Sequence, residues 1–129
     1  MTLSEIENQV MFQTNNDLED LGDYKPHVVD YINEGYDRLV KAYDKAHVRT
    51  PNYPPLMEAT DIPNTPEWTH RYLADWATWL VYRNGNPQKQ SRGYAYRESF
   101  LGMLSTVMDE GGKAGETGGP YNKFRNIPK

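Results

Sequence analysis

Apolar positions recur at helical spacing along most of this chain. Leu3, Ile6 and Val10 fall on one side of a short helix that opens on Thr2-Leu3-Ser4-Glu5, a capping-box sequence, and ends near Phe12 or Gln13. A second helix is expected over about 24–46, with Asp23 as its cap and Pro26 tolerated in the first turn. Val28, Ile32, Leu39 and Tyr43 form its buried stripe, with Tyr31, Tyr36 and Val40 beside it. Gly35 lies on that stripe. A glycine inside a helix costs up to about 1 kcal/mol relative to alanine, so its presence predicts close packing against a neighbour.

The stretch 65–112 reads as a helical hairpin. Thr65 is placed to cap, Pro66 to take the first helical position, and Leu73, Trp76, Ala77 and Leu80 to line the inner face, with Trp68 thickening it. Gly85 is expected to stop this helix in a left-handed conformation, and Asn86-Pro87 to start the next. That next helix carries Phe100, Leu101, Leu104, Val107 and Met108 on one side and ends at Gly111. So short a turn makes the two helices antiparallel neighbours. Trp76 and Leu80 should then pack on the Phe100–Leu104 turn, and Gly93 should let the first helix approach closely.

Two segments break the helical pattern. Between His47 and Asn64, Pro51, Pro54, Pro55 and Pro63 forbid a helix, yet Tyr53, Leu56, Met57 and Ile62 are too apolar for a solvated loop. This Pro-rich loop is expected to fold back on the body or to meet a partner, with room for a short hairpin arm. From Gly111 on, five glycines in the nine residues 111–119 predict a flexible linker. Beyond it Tyr121, Phe124 and Ile127 interleave with Lys123, Arg125 and Lys129, the composition of a docking peptide. The expected fold is therefore all-α, a small antiparallel helical bundle with a long Pro-rich loop and an extended Gly-rich C-terminal tail. The body is assigned to residues 1–110 and the linker and docking tail to 111–129.

Composition refines this picture. At 129 residues the chain suits one domain with a real core, and ten tyrosines and three tryptophans offset an apolar share of only 37%. The net charge of −4 is uneven: residues 111–129 carry +3 and the remainder −7. An acidic body argues against a general grip on nucleic acid, and a basic tail on such a body suits docking to acidic protein, including another copy. There is no cysteine, hence no disulfide or thiolate chemistry. No stretch approaches the ~20 apolar residues of a membrane span. The opening MTLSEIENQ lacks a signal-peptide pattern, so a protein made and used in a cytoplasm, or built there into something larger, is expected.

Catalytic spacings are missing. His27, His47 and His70 are scattered, with no HExxH or CxxC, and GGKAGETGG lacks the order of a phosphate loop. The acidic group Asp17, Glu19, Asp20 and Asp23 does not match an EF-hand. Glu34 and Asp37 read as a solvated helix face. Lys89, Arg92 and Arg97 form a modest basic stripe. No catalytic residue, metal or cofactor is expected.

The order of elements and certain residues resemble a known family. A short capped helix (TLSEIENQV) and an acidic turn precede a helix with Asp23/Tyr24, Tyr31, Asn33, Glu34, Leu39 and Val40. A proline-bearing loop then leads to Pro66, His70, Leu73, Asp75, Ala77 and Tyr82, and on to Phe100. Over residues 2–105 this is similar to the head-to-tail connector, or adaptor, proteins of tailed bacteriophages. The chain departs from the family in a longer central loop and in Trp79, where a tyrosine is expected. The resemblance implies a structural virion protein located at the head–tail junction and assembled in the host bacterial cytoplasm. It implies a homo-oligomeric ring, a dodecamer in the family, with a portal protein above and tail or neck proteins below. DNA would only pass through the lumen, and no membrane would be involved. Within that picture residues 1–110 are the helical adaptor domain. The expected interface residues are Tyr121, Lys123, Phe124, Arg125, Ile127 and Lys129 in the tail, and Tyr53, Leu56, Met57 and Ile62 in the loop. The alternatives are a helical nucleic-acid-binding regulator and a small helical enzyme or scaffold.

Overall fold

The computed structural model describes residues 1–14, 25–47 and 53–117, with side chains through Asp109 in the last helix. Among the described residues there are four α-helices and no strand: α1 (Leu3–Gln13), α2 (Val28–His47), α3 (Glu67–Tyr82) and α4 (Pro87–Thr117). The chain is all-α, as its periodicity predicts. A 3-10 turn at Lys25–His27 leads into α2 and holds Pro26, so the regular helix starts at Val28 rather than Tyr24.

Local signals explain most boundaries. The α1 capping box forms as expected, with the Glu5 amide donating to Thr2 Oγ1 at 3.2 Å and the Thr2 amide to Glu5 Oε1 at 2.8 Å. Asn86 caps α4 by accepting from the Lys89 amide at 3.0 Å. At α3 the expected cap shifts: Pro66 is itself the capping residue, without a side-chain bond, and the helix begins at Glu67. Thr65 instead shares a 3.0 Å hydroxyl contact with Thr69. Gly85 does not turn left-handed. Any Cβ there would lie 2.9 Å from the Lys89 side chain, so crowding in the tight turn is what calls for glycine. Nor does α4 stop at Gly111; it continues to Thr117, moving the end of the helical body past residue 110. Glycine permits a stop but does not enforce one, and Lys113, Ala114 and Glu116 are compatible with helix.

α3 is the central element and packs on the other three helices. Every residue from Leu73 to Thr78 is buried, as expected of a helix covered on all sides. α1 lies parallel to it, since the Met1 amine meets Glu67 and Gln13 meets Asp75. α4 returns antiparallel, with Phe100, Met103 and Val107 inward. Met103 takes the inner place expected of Met108, which is 43% exposed, because 100, 103 and 107 share one helix face. Trp76 joins three elements. Its ring sits 4.9 Å from that of Phe100, under the Arg38 guanidinium, and against Gly35, where an added Cβ would come within 3.1 Å. Gly93 likewise admits Trp79 and Tyr82, as expected.

The glycines of α4 therefore separate two effects. Gly93→Ala places a methyl 2.8 Å from Trp79 and should cost about 1–3 kcal/mol. Gly102→Ala meets nothing within 4 Å and should stabilise by about 0.5–1 kcal/mol. Urea unfolding of the two variants checks both signs.

Candidate interaction surfaces

The Pro-rich loop is tied to the body by specific bonds. Asn33, from the second helix, donates Nδ2 to the Leu56 carbonyl and accepts the Leu56 amide on Oδ1, both at 2.8 Å. The Tyr36 hydroxyl accepts the Asn64 amide at 2.8 Å, and the Tyr53 ring meets that of Tyr36 edge-on. Asp61 folds the loop tip by accepting the Met57 and Glu58 amides on one oxygen. These amides hold its carboxyl below the usual range. The Asp61 and Ala59 carbonyls then accept the Leu3 and Ser4 amides at 2.7 and 3.0 Å. The loop thus supplies partners for N–H groups at the start of α1 that have none within the helix.

This arrangement divides the four loop residues expected at an interface. Leu56 is a buried core residue and Tyr53 packs partly against the core, so they serve this chain's own body. Met57 and Ile62 face outward, at 74% and 60% exposure. No strand forms within 53–64, where a hairpin arm had room. The six tail residues Tyr121, Lys123, Phe124, Arg125, Ile127 and Lys129 lie outside the described residues, as does the acidic group 17–23.

A further exposed aromatic is Trp68, expected inside but 40% exposed. It meets Tyr72 edge-on, and Arg71 covers the Tyr72 ring. The signal was available, because 68 and 72 share a face distinct from that of 73, 77 and 80. Met57 and Ile62 border the start of α1 through the loop bonds above, Glu67 meets it through the Met1 amine, 2.8 Å from Glu67 Oε2, and Trp68 lies in the first turn of α3 at the same end of the bundle. Glu5, Glu58 and Glu67 are exposed at the same end. The amine keeps the Glu67 carboxyl low, so it stays anionic.

Two buried polar groups flank α1. His70 Nε2 lies 2.8 Å from the Thr65 carbonyl, which can only accept, so Nε2 carries the hydrogen. Nδ1 then accepts from the Met1 amine at 2.9 Å, and the ring is neutral. Burial, with the adjacent ammonium, pushes its pKa down. At the other end Asp75 accepts from Gln13 Nε2 and Ser99 Oγ, each at 2.8 Å, while Thr78 orients the Gln13 amide. Burial pushes the Asp75 carboxyl up. Sequence reasoning missed this network, although a lone acid inside LADWATWL was its signal.

A small recess of about 120 Å³ is lined by Asn33, Tyr36, Asp37, Val40, Tyr53 and Pro55. It is well below the roughly 300 Å³ at which small-molecule pockets begin. Among the described residues no three His, Asp or Glu side chains converge on a point where a metal could sit. No described helix is long and apolar enough to cross a membrane.

The two buried groups predict opposite pH responses. Depression of the His70 pKa gives stability that is full above about pH 6.5 and lost as pH falls below it. His70→Gln should flatten unfolding curves between about pH 5 and 7. Elevation of the Asp75 pKa means that ionised Asp75 disfavours the fold increasingly as pH rises past about 4. Asp75→Asn can keep both contacts, with its amide donating to Ser99, and should be neutral or stabilising at pH 7. That advantage should shrink towards pH 4. Asp75→Ala, which strands Gln13 and Ser99, should cost about 1–3 kcal/mol. Thermal melts across pH distinguish these cases. Comparison with protein-family models, curated proteins and solved structures finds no match to the chain.

Proposed function

We propose that the chain is a structural subunit of a tailed-bacteriophage head-to-tail connector, one copy in a ring that sits under the portal and joins head to tail. One observation carries the reading: residues that bear the resemblance join one element of the fold to another. Asn33 fastens the loop, His70 anchors the start of α1, Asp75 ties α1 to α4, and Phe100 seats Trp76. A pattern made of such residues specifies an architecture rather than a reaction. The exposed Met57, Ile62 and Trp68 beside acidic side chains add a surface suited to protein contact. A ring closed by head-to-tail packing uses two different faces of each subunit, and the tail and this end supply two such faces.

A second reading is favoured by a different observation. Residues 76–97 carry Arg83, Lys89, Arg92 and Arg97 and no acid, so the tip of the α3–α4 hairpin is basic. A nucleic-acid-binding regulator would use that tip.

Electron microscopy of the purified protein, alone and mixed with portal-bearing heads, decides between them. The connector reading expects a ring density added beneath the portal and no retention of free DNA at physiological salt. Salt-sensitive DNA retardation, lost in Arg83→Glu/Arg92→Glu, without any addition to heads would favour the regulator.

A further inference from the structure

We propose that the end of the molecule around the start of α1 is the receiving surface for the C-terminal segment 121–129 of a neighbouring copy. The inference rests on the ring reading above for its setting and adds the identity of the two contacting parts. The surface combines two chemistries. Met57, Ile62 and Trp68 are exposed there at 74%, 60% and 40%. Glu5, Glu58 and Glu67 are exposed at the same end, Glu5 accepting from the Thr2 amide and Glu67 from the Met1 amine. Asp109 lies at the same level but points elsewhere: Trp76 faces Phe100, and nine residues, back to Glu67 or forward to Asp109, ends a half turn of helix round from that contact, so those two carboxylates face away from one another. The nearby cations are largely committed, the Met1 amine to Glu67 and Arg71 to the Tyr72 ring and hydroxyl.

The C-terminal segment is the complement of that surface in both respects. Tyr121, Phe124 and Ile127 offer apolar side chains at three-residue intervals, and Lys123, Arg125 and Lys129 offer cations between and after them. No acid occurs after Glu116. Opposite charges steer such an encounter, and the apolar contacts give it register. The place where the segment starts also fits. α4 ends at Thr117, eight residues past Asp109, which at 1.5 Å per residue is about 12 Å beyond the level of Glu67. The chain therefore leaves its own body heading away from the surface it would have to turn back to reach. The remaining twelve residues, 118–129, can span up to about 40 Å when extended, enough to reach the same surface on an adjacent subunit. A contact of this kind uses a different part of each copy and propagates until the rotation closes.

Reciprocal charge reversal tests the inference in the full-length chain. Lys123→Glu/Arg125→Glu reverses the segment, and Glu58→Lys reverses the surface at a residue whose side chain is exposed. Sedimentation velocity should show oligomers for the native chain, and self-association weakened about tenfold or more for each variant at unchanged helicity. Mixing the two variants should restore assembly, because each then carries the complement of the other. Met57→Lys/Ile62→Lys should also weaken assembly and should not be rescued by either partner.

Several results would overturn the inference. One is a chain ended after Thr117 that assembles like the native protein. Another is a pair of variants that stays apart when mixed yet recovers when all three changes share one chain, which places the contact within a single copy. A third is loss of DNA retention on segment reversal with assembly unchanged, which would make the segment a nucleic-acid contact. The connector reading has its own readout, addition to portal-bearing heads. Tail-independent assembly that still joins heads removes the inference alone. Tail-dependent assembly that never joins heads removes the connector reading alone.

Discussion

The fit of Trp76 into the notch at Gly35 sets the geometry of the bundle. With the Cβ of any larger residue only 3.1 Å from the indole, α2 could not lie this close to α3. The same ring carries Phe100 on α4 and the Arg38 guanidinium, so one side chain fixes how two helices cross a third. The second notch, Gly93 against Trp79 and Tyr82, fixes the hairpin nearer its turn. Together the notches explain how a chain with few aliphatic residues builds a close-packed interior. Large aromatic surfaces are buried against backbone, where area is gained without a partner side chain. They also explain why α3 tolerates alanines at 74 and 77, where small residues leave space for its neighbours.

Once that core is set, the other elements are held by polar bonds placed at their ends. α1 has only three fully inward apolar residues, Leu3, Ile6 and Val10. An isolated helix of 11 residues is marginal. It is secured by the loop carbonyls of Ala59 and Asp61, by His70 and Glu67 at its start, and by Asp75 near its end. The loop depends in turn on Asn33 and Tyr36 of α2. The first helix is therefore the element most sensitive to protonation, because a buried neutral imidazole and a buried carboxylate both touch it. Acidification opposes the His70 contact while it relieves the cost of ionised Asp75, so the two ends of α1 answer pH in opposite directions.

How much of this is legible in the sequence depends on whether a feature is local. The capping box at Thr2 and Glu5 and the cap at Asn86 are local, and both form as written. The helical stripes are nearly as clear, and the glycines at 35 and 93 gave away the close approaches because a mid-helix glycine is costly without one. What failed needed tertiary context. Gly85 was read through backbone freedom, whereas crowding by Lys89 is the cause. Met108 and Met103 are both compatible with a helical face, and only the seat of Phe100 against Trp76 selects Met103. Leu56 looked like a partner-facing residue because nothing in a Pro-rich stretch reveals that Asn33, far away in sequence, will fasten its backbone. The Asp75 network joins three helices and is invisible until they are assembled.

The same distinction bears on function. A catalytic motif concentrates its chemistry at one point, and its residues make sense only with a substrate. Here Asn33, His70, Leu73, Asp75 and Phe100 are occupied by their own chain, in bonds or in core contacts. What lies at the periphery among the described residues is unlike at the two ends: exposed Met57, Ile62 and Trp68 with carboxylates at one, and a basic hairpin tip at the other. α3 alone separates these ends by about 24 Å, roughly three screening lengths at physiological salt. Those two surfaces do not neutralise one another within a molecule. Polar chemistry kept for internal joints and unlike surfaces on separate ends are the features on which the proposed connector role rests.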